Sequence, residues 1–216
     1  ALSGELKCEA GGESLKAPGV LTAPDIEHRI DALGVDILLV FVDPESVAGV
    51  ALRSALPGDI QPISAKVRDS LISGADPLAL MQQEDGVRWT SEAVRLLGGP
   101  VVPPRQFHPR VKKALRHLQQ STESGQSLES VAAEVGLSPG RLMHAFTESV
   151  GIPFRPYLAW LKLQRAAAAI ASGESITAAA HLAGFSDSAH LTRSFIQMFG
   201  LRPSELKASL NRTEST

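Results

Sequence analysis

Residues 128–153 read LESVAAEVGLSPGRLMHAFTESVGIP, and residues 176–203 read ITAAAHLAGFSDSAHLTRSFIQMFGLRP. The two stretches follow one pattern when Ala132 is aligned with Ala180, 48 residues further along the chain. At this spacing Gly136 matches Gly184. The second copy has one more residue in its turn, after which Leu142, Phe146, Gly151 and Pro153 are matched by Leu191, Phe195, Gly200 and Pro203. Agreement at so many glycine, aromatic and proline positions indicates an internal repeat.

Each copy predicts a helix, a tight turn and a second helix. Apolar residues at helical spacing precede Gly136, and glycine readily adopts the positive φ that ends a helix. Ser138 offers an N-cap oxygen and Pro139 suits the first helical position, so a new helix is predicted to begin at once. The small residues Ala132 and Ala180 allow the two helices of each copy to cross closely.

The second helix of each copy is predicted to be polar on the side opposite its apolar face. That side carries Arg141, His144 and Glu148 in the first copy and His190, Arg193 and Gln197 in the second. This pattern is typical of helix-turn-helix motifs, whose second helix lies in the major groove and contacts base edges. Helix hairpins with a glycine turn also occur in bundles without DNA, but two copies with the same polar side favour DNA reading.

The segment between the copies predicts one long helix. It runs for 18 residues from Phe154 to Ala171, with Pro156 in its first turn and Gly173 just beyond its end. At 1.5 Å per residue its length is roughly 27 Å, comparable with the ~34 Å between successive major-groove faces on one side of the duplex. We predict a spacer that holds two reading helices in neighbouring grooves and also contributes apolar residues to the core.

The run LAWLKLQRAAAAIASGESITAAAHLAGFSDSAHLTRSFIQMFGLRPSEL, from Leu158 to Leu206, resembles the signature region of the AraC/XylS family of transcription regulators. The resemblance rests on Arg165 in the bridging helix, the GFSD turn, Arg193 two residues before Phe195, and the FG-x-x-P ending. It extends over about residues 108–210 and implies a seven-helix domain that inserts both recognition helices into successive major-groove segments, usually in a promoter. The implied partner is double-stranded DNA, with RNA polymerase, a small-molecule effector and a second copy of the chain as further candidates.

The resemblance also implies which side chains contact bases. The corresponding positions are Gly140, Arg141, Met143 and His144 in the first recognition helix and Ser188, His190, Thr192 and Arg193 in the second. Because Gly140 and Met143 offer no side-chain hydrogen bond, reading by the first helix is expected to depend on Arg141 and His144. The predicted DNA-binding residues are therefore Arg141, His144, Ser188, His190, Thr192 and Arg193.

Arg193 is expected to carry much of the specificity. Its planar guanidinium suits a bidentate contact to guanine, although a salt bridge to Asp187 that caps its own helix is an open alternative. Other basic residues are expected to contact phosphates or to be solvated: Lys112, Lys113, Arg116 and Arg155.

The first half of the chain has a mixed pattern. Short apolar runs at Gly19–Ala23 and Ile37–Val42 predict strands, and the spacing of apolar residues between Pro62 and Gly98, including Leu78, Leu80 and Met81, predicts helices. The predicted fold class is α+β, with a small cupin-like β segment plus helices followed by an all-α domain. The sequence predicts four parts. Residues 1–61 are a partial cupin-like sensor and residues 62–98 are a helical dimerisation region. A Gly/Pro-rich linker at 99–107 leads to a DNA-binding domain at 108–216, whose helix-turn-helix motifs, at about 128–150 and 176–199, are joined by a long helix.

The stretch from Gly19 to Arg53 resembles the later part of a cupin-like effector domain. Cupins bind metal through several His and Glu ligands, whereas His28 stands here without a His-x-His pair before it. We expect no metal and no cofactor, and we interpret His28 as a polar residue at a strand end. The strand-like part is too short to close a barrel, so either earlier strands are missing or a partner chain completes a half-barrel.

Composition limits the other function classes. Of the 216 residues, residues 1–105 hold 9 basic and 15 acidic side chains, and residues 106–216 hold 12 and 8, so only the second half is basic. The single Cys8 and the lack of a long apolar run or a signal segment predict a protein of the cytoplasm. No nucleophile or phosphate-loop motif is found, so we expect no catalytic residues and no enzyme. The alternatives are a cupin-derived metal enzyme and a module that binds proteins.

Overall fold

A computed structural model describes residues 1–73, 75, 83–101, 103, 106–120 and 126–213. The chain forms two compact units, Ala1–Gln106 and Phe107–Thr216. The first unit combines small antiparallel sheets with helices and the second is helical, which confirms the predicted α+β class. No helix in the described ranges is long and apolar enough to cross a bilayer.

The first unit contains two small antiparallel sheets. Strands β1 (Leu6–Ala10), β2 (Glu13–Ala17) and β4 (His28–Asp31) form a three-stranded sheet in the order β2-β1-β4. Strands β3 (Gly19–Thr22) and β5 (Ile60–Ile63) form the other, with Gly19 opposite Ile63. One face of the larger sheet is buried because alternate β1 side chains, including the fully buried Cys8, face a hydrophobic core.

Three helices complete the described part of this unit: α1 (Val47–Ala55), α2 (Ala65–Ile72) and α3 (Gln83–Leu96). The Ser46 hydroxyl accepts a hydrogen bond from the Gly49 N–H at 3.0 Å and thereby caps α1. The Trp89 indole N–H donates to the Leu71 carbonyl at 2.9 Å, so α3 packs against α2 within the unit.

Two sequence expectations for this unit are wrong. Residues 37–42 form no strand, because this apolar run lies in an irregular segment without a ladder partner. The helical region begins at Ala65 rather than at Pro62, since Ile60–Ile63 pairs with β3. Residues 74 and 76–82, with Leu78, Leu80 and Met81 of the predicted apolar pattern, lie outside the described residues.

The second unit contains seven helices in its described ranges. They are α4 (Pro109–Gln120), α5 (Leu128–Val135), α6 (Pro139–Val150), α7 (Phe154–Ala171), α8 (Ile176–Leu182), α9 (Ser188–Phe199) and α10 (Pro203–Thr213). The two predicted helix-turn-helix motifs are α5–α6 and α8–α9. The predicted spacer is α7, and its observed bounds match the sequence prediction.

Two hydrophobic clusters fill this unit, and α7 belongs to both. Its first half contributes Phe154 and Tyr157 to the cluster around Phe146, while its second half contributes Leu163 and Ala166 to the cluster around the second motif. A shared helix buried at both ends leaves little freedom for one motif to move against the other. The Arg165 guanidinium on α7 also donates to the Leu118 carbonyl near the end of α4.

Candidate nucleic-acid interface

The two turns have the same backbone geometry. Gly136 and Gly184 adopt left-handed conformations, with φ of 66° and 78°. The N–H of the following residue then donates to a carbonyl five residues back, from Leu137 to Ala132 and from Phe185 to Ala180, at 2.9 Å in both copies. This is the Schellman arrangement that ends a helix. Both alanines are fully buried, as the predicted close crossing of the helices requires.

The recognition helices α6 and α9 begin directly after these turns. The Ser138 hydroxyl accepts a hydrogen bond from the Arg141 N–H at 3.4 Å, with Pro139 in the first turn, as predicted. In the second copy an Asp187 carboxylate oxygen accepts from the His190 N–H at 2.7 Å. This bond, supported by the Ser186 hydroxyl, lowers the pKa of the Asp187 carboxyl.

The first recognition helix presents the predicted side chains on its outer side. Arg141, Met143 and His144 are exposed, whereas Leu142 and Phe146 are fully buried. The polar and apolar faces are therefore separated as the sequence pattern predicts. Met143 is 42% exposed and places an unbranched apolar side chain on the face that would meet DNA.

Polar side chains at the start of the second recognition helix make hydrogen bonds and ring contacts within the domain. His190 is exposed, but its Nδ1 lies 3.1 Å from the Ser186 hydroxyl and its ring makes an edge contact with Phe185, with centroids 5.1 Å apart. The Thr192 hydroxyl donates to the Ser188 carbonyl at 2.7 Å, and both of these residues are half-buried. The Ser186 and Phe185 contacts fix the imidazole of His190 at the start of α9.

Arg193 is exposed on the same helix. Its positive charge contributes to the lowered pKa of the Asp187 carboxyl. Among the described residues, however, no ion pair within 4.0 Å joins Arg193 to Asp187. Asp187 caps α9 through the backbone instead, so the cap does not require Arg193.

Comparison with known proteins agrees with this geometry. A helix-turn-helix domain model matches residues 131–209, which include both turns. The HTH-type transcriptional regulator RipA of Corynebacterium glutamicum is 32% identical over 114 residues, which are 52% of this chain and 34% of RipA. The second unit is therefore similar to regulators of the AraC/XylS family, as the sequence predicts. The chain thus spans about a third of the length of the curated relative that it matches.

Two solved structures of ToxT share the fold of this chain, and a third match covers only part of it. ToxT from Vibrio cholerae is 14% identical, with 95% of this chain and 86% of ToxT covered at a TM-score of 0.54. A structure of ToxT with a bound unsaturated fatty acid is also 14% identical, with 94% of this chain and 83% of the ToxT chain covered at a TM-score of 0.50. An AraC-type regulator from Chromobacterium violaceum is 25% identical, with 47% of this chain and 92% of the regulator's chain covered at a TM-score of 0.44.

Basic side chains on α4 and α7 donate hydrogen bonds at the two turns, and among them only Lys113 was assigned a role from the sequence. Arg110 on α4 donates to the carbonyls of Val135, at 3.2 Å, and Gly136. Lys162 on α7 donates to the Gly184 carbonyl at 3.1 Å. Lys113, expected to be solvated or to contact phosphate, instead reaches the Glu134 carbonyl at 2.7 Å and its carboxylate at 3.0 Å. Periodicity could not reveal these contacts because they join positions more than 20 residues apart.

Metal chemistry finds no support in the described residues. They hold no group of three or more His, Cys, Asp or Glu side chains able to bind a metal ion. His28 begins strand β4, is exposed, and lies with Nδ1 3.1 Å from the Ile26 carbonyl. Burial raises the pKa of the Cys8 thiol, which keeps it in the unreactive protonated form.

Gly136→Ala is expected to lower the free energy of unfolding of this domain by about 1–2 kcal/mol, because an L-residue at positive φ is strained. The new Cβ would also lie 3.0 Å from the Arg110 guanidinium. The matched control is Gly140→Ala, inside helix α6, where a Cβ meets no atom within 4 Å. That control should gain roughly 0.5–1 kcal/mol. Urea unfolding of both variants measures the difference, and equal effects would contradict the role of the turn.

Proposed function

We propose that the chain is a sequence-specific regulator of transcription whose two recognition helices enter adjacent major-groove segments of a promoter. The observation that carries the proposal is the repeated motif. Two turns with matching hydrogen bonds begin two recognition helices, and each helix has an exposed polar face.

The bridging helix supports simultaneous binding by both motifs. Helix α7 is 18 residues long, roughly 27 Å at 1.5 Å per residue, and it is buried in both hydrophobic clusters. Recognition helices separated by a rigid element of this length suit groove segments about one turn, or ~34 Å, apart. The proposal therefore requires two half-sites on the same face of the duplex.

The roles proposed for individual side chains follow from exposure and chemistry. Arg193 would read guanine, and His190, held by Ser186, would contact a neighbouring base edge. Ser188 and Thr192 are half-buried and suit contacts at the rim of the groove. In the first helix Arg141 and His144 would supply the polar contacts, with less specificity overall.

Selection of bound duplexes from a random DNA pool tests the proposal. We expect recovered sites with two half-sites about 10 base pairs apart. In titrations of the selected duplex, the logarithm of the affinity should fall linearly with the logarithm of the salt concentration. The slope of this line should steepen by about 0.9 for each phosphate contacted. A flat salt response or an unselective pool would instead favour a module that binds proteins.

We also propose that the first unit controls DNA binding through a small-molecule effector and through pairing of two copies. Support for pairing comes from helix α3, where Ala93 is buried but Val87 is 59% exposed. Val87 lies among other exposed residues of this helix, including Arg88 and Ser91, and a second chain would cover it if this region pairs. RNA polymerase would be the further partner at a promoter. Sedimentation with and without candidate effectors tests these assignments.

A further inference from the structure

Two basic side chains make the same kind of contact in the two motifs. Lys162 lies on α7, the helix that precedes the second motif, and Arg110 lies on α4, the helix that precedes the first. Each donates to the carbonyl of the turn glycine, Gly184 or Gly136. The two motifs therefore share a tertiary contact, although one cation is lysine and the other arginine and their positions differ by four residues in the alignment of the repeat.

These two carbonyls lack a partner within their own helix and are open to a donor from outside it. The last carbonyls of a helix have no partner within the helix, and the helix dipole makes this end attractive to cations. In each motif the backbone N–H groups of the turn are already directed back to the preceding helix, as in the bond from Phe185 to Ala180 at 2.9 Å. The cation completes the hydrogen bonding of the turn from outside the motif.

The contact lies immediately before the recognition helix. Only two residues separate Gly184 from the N-cap Asp187, and Gly136 is two positions before the N-cap Ser138. A bond that fixes the glycine peptide against the supporting helix therefore fixes the point from which the recognition helix departs. Lys162 is half-buried, and burial, together with the nearby Arg165, lowers the pKa of its ammonium, which agrees with a group partly withdrawn from water.

We propose that Lys162 and Arg110 are positioning residues that set the orientation of the second and first recognition helices, respectively, rather than phosphate contacts. This inference rests on the proposed function, since it requires two half-sites. Loss of one cation should weaken reading of one half-site only. Loss of a phosphate contact would weaken binding to any sequence and reduce the salt dependence.

The test compares Lys162→Met with Lys162→Arg on the selected duplex and on two duplexes that each have one half-site scrambled. For Lys162→Met we expect about a tenfold loss confined to the half-site read by α9, within the range for one misaligned base contact. The salt slope should stay as in the wild type. Lys162→Arg keeps a donor and should restore most of the loss. Arg110→Met should affect the other half-site.

Lys207→Met is the matched control, because Lys207 also donates to backbone carbonyls, those of Gly173 and Glu174, but at the end of α7. Lys207→Met should lower the thermal midpoint of unfolding without changing the ratio of the affinities for the two half-sites. Equal loss at both half-sites in Lys162→Met, a salt slope lower by about 0.9, or unchanged binding would each overturn the inference. A wild-type protein without paired half-sites would overturn the proposed function itself, so the two failures are distinguishable.

Discussion

Phe146→Ala is expected to lower the free energy of unfolding of the second unit by about 3–5 kcal/mol, the usual cost of removing a fully buried phenylalanine. Phe146 is completely buried and makes edge contacts with Phe154 and Tyr157, each at a centroid distance of 5.2 Å. Both partners lie on α7, so the cavity would form where the bridging helix meets the first motif. Urea unfolding followed by circular dichroism measures the loss.

Met143→Ala provides the control for this prediction. Met143 lies on the same helix as Phe146 but is 42% exposed, so its truncation should change stability by less than about 0.5 kcal/mol. Similar losses in the two variants would mean that the apolar face of α6 does not anchor the first motif. The comparison thus tests the assignment of faces on which the proposed DNA contacts depend.

Arg193→Ala is expected to weaken binding to the selected duplex by about 1–3 kcal/mol and to relax preference at one base pair. The reason is that the exposed guanidinium suits a bidentate guanine contact, while the cap of α9 depends on Asp187 and the backbone. Competition binding on selected and random duplexes measures the effect. Arg193→Lys keeps the charge but not the planar pair of donors, so specificity should not recover.

Gln197→Ala, one helical turn further along the same exposed side, is the control for Arg193→Ala and should change affinity little. An equal loss on specific and random duplexes would assign Arg193 to phosphate contact instead. A loss in the free energy of unfolding as large as the loss in the free energy of DNA binding would assign Arg193 a structural role. Either result would move the proposed centre of specificity away from α9.

The second unit could be predicted closely because its signals are local. Gly136, Ser138 and Pro139 act within one turn of the chain, and their left-handed φ, cap and first-turn position are all observed. The bounds of α7 follow from Pro153 before it and Gly173 after it. Local rules suffice where the end of one helix directly begins the next.

The first unit shows where such rules fail. The apolar run at residues 37–42 predicts a strand, but a strand requires a neighbour with free backbone groups, and sequence alone does not supply one. Helix α1 is not apparent from the sequence although Ser46 is a recognisable N-cap, because Gly49 and the valines favour other structures. A Cβ at Gly49 would lie 2.2 Å from the Asp43 carbonyl oxygen, so the glycine serves a close approach that only the folded chain reveals.

The candidate site divides in the same way. Exposure of Arg141 and His144 could be predicted from helical period. The bonds of Lys162 and Arg110 join residues 22 and 26 positions apart and leave no periodic trace. Whether a lysine faces a carbonyl or a phosphate is decided by tertiary structure.

Among the lysines and arginines whose side chains the structure describes in residues 107–208, five donate to backbone carbonyls: Arg110, Lys113, Lys162, Arg165 and Lys207. Other cations, including Lys112, Arg116 and Arg155, are exposed at the surface. If Arg110 and Lys162 position the recognition helices as proposed, attraction to the DNA backbone and the angle at which each helix meets the bases depend on separate side chains. Evolution could therefore adjust how tightly such a domain holds DNA by changing surface charge alone, without altering which sequence it reads.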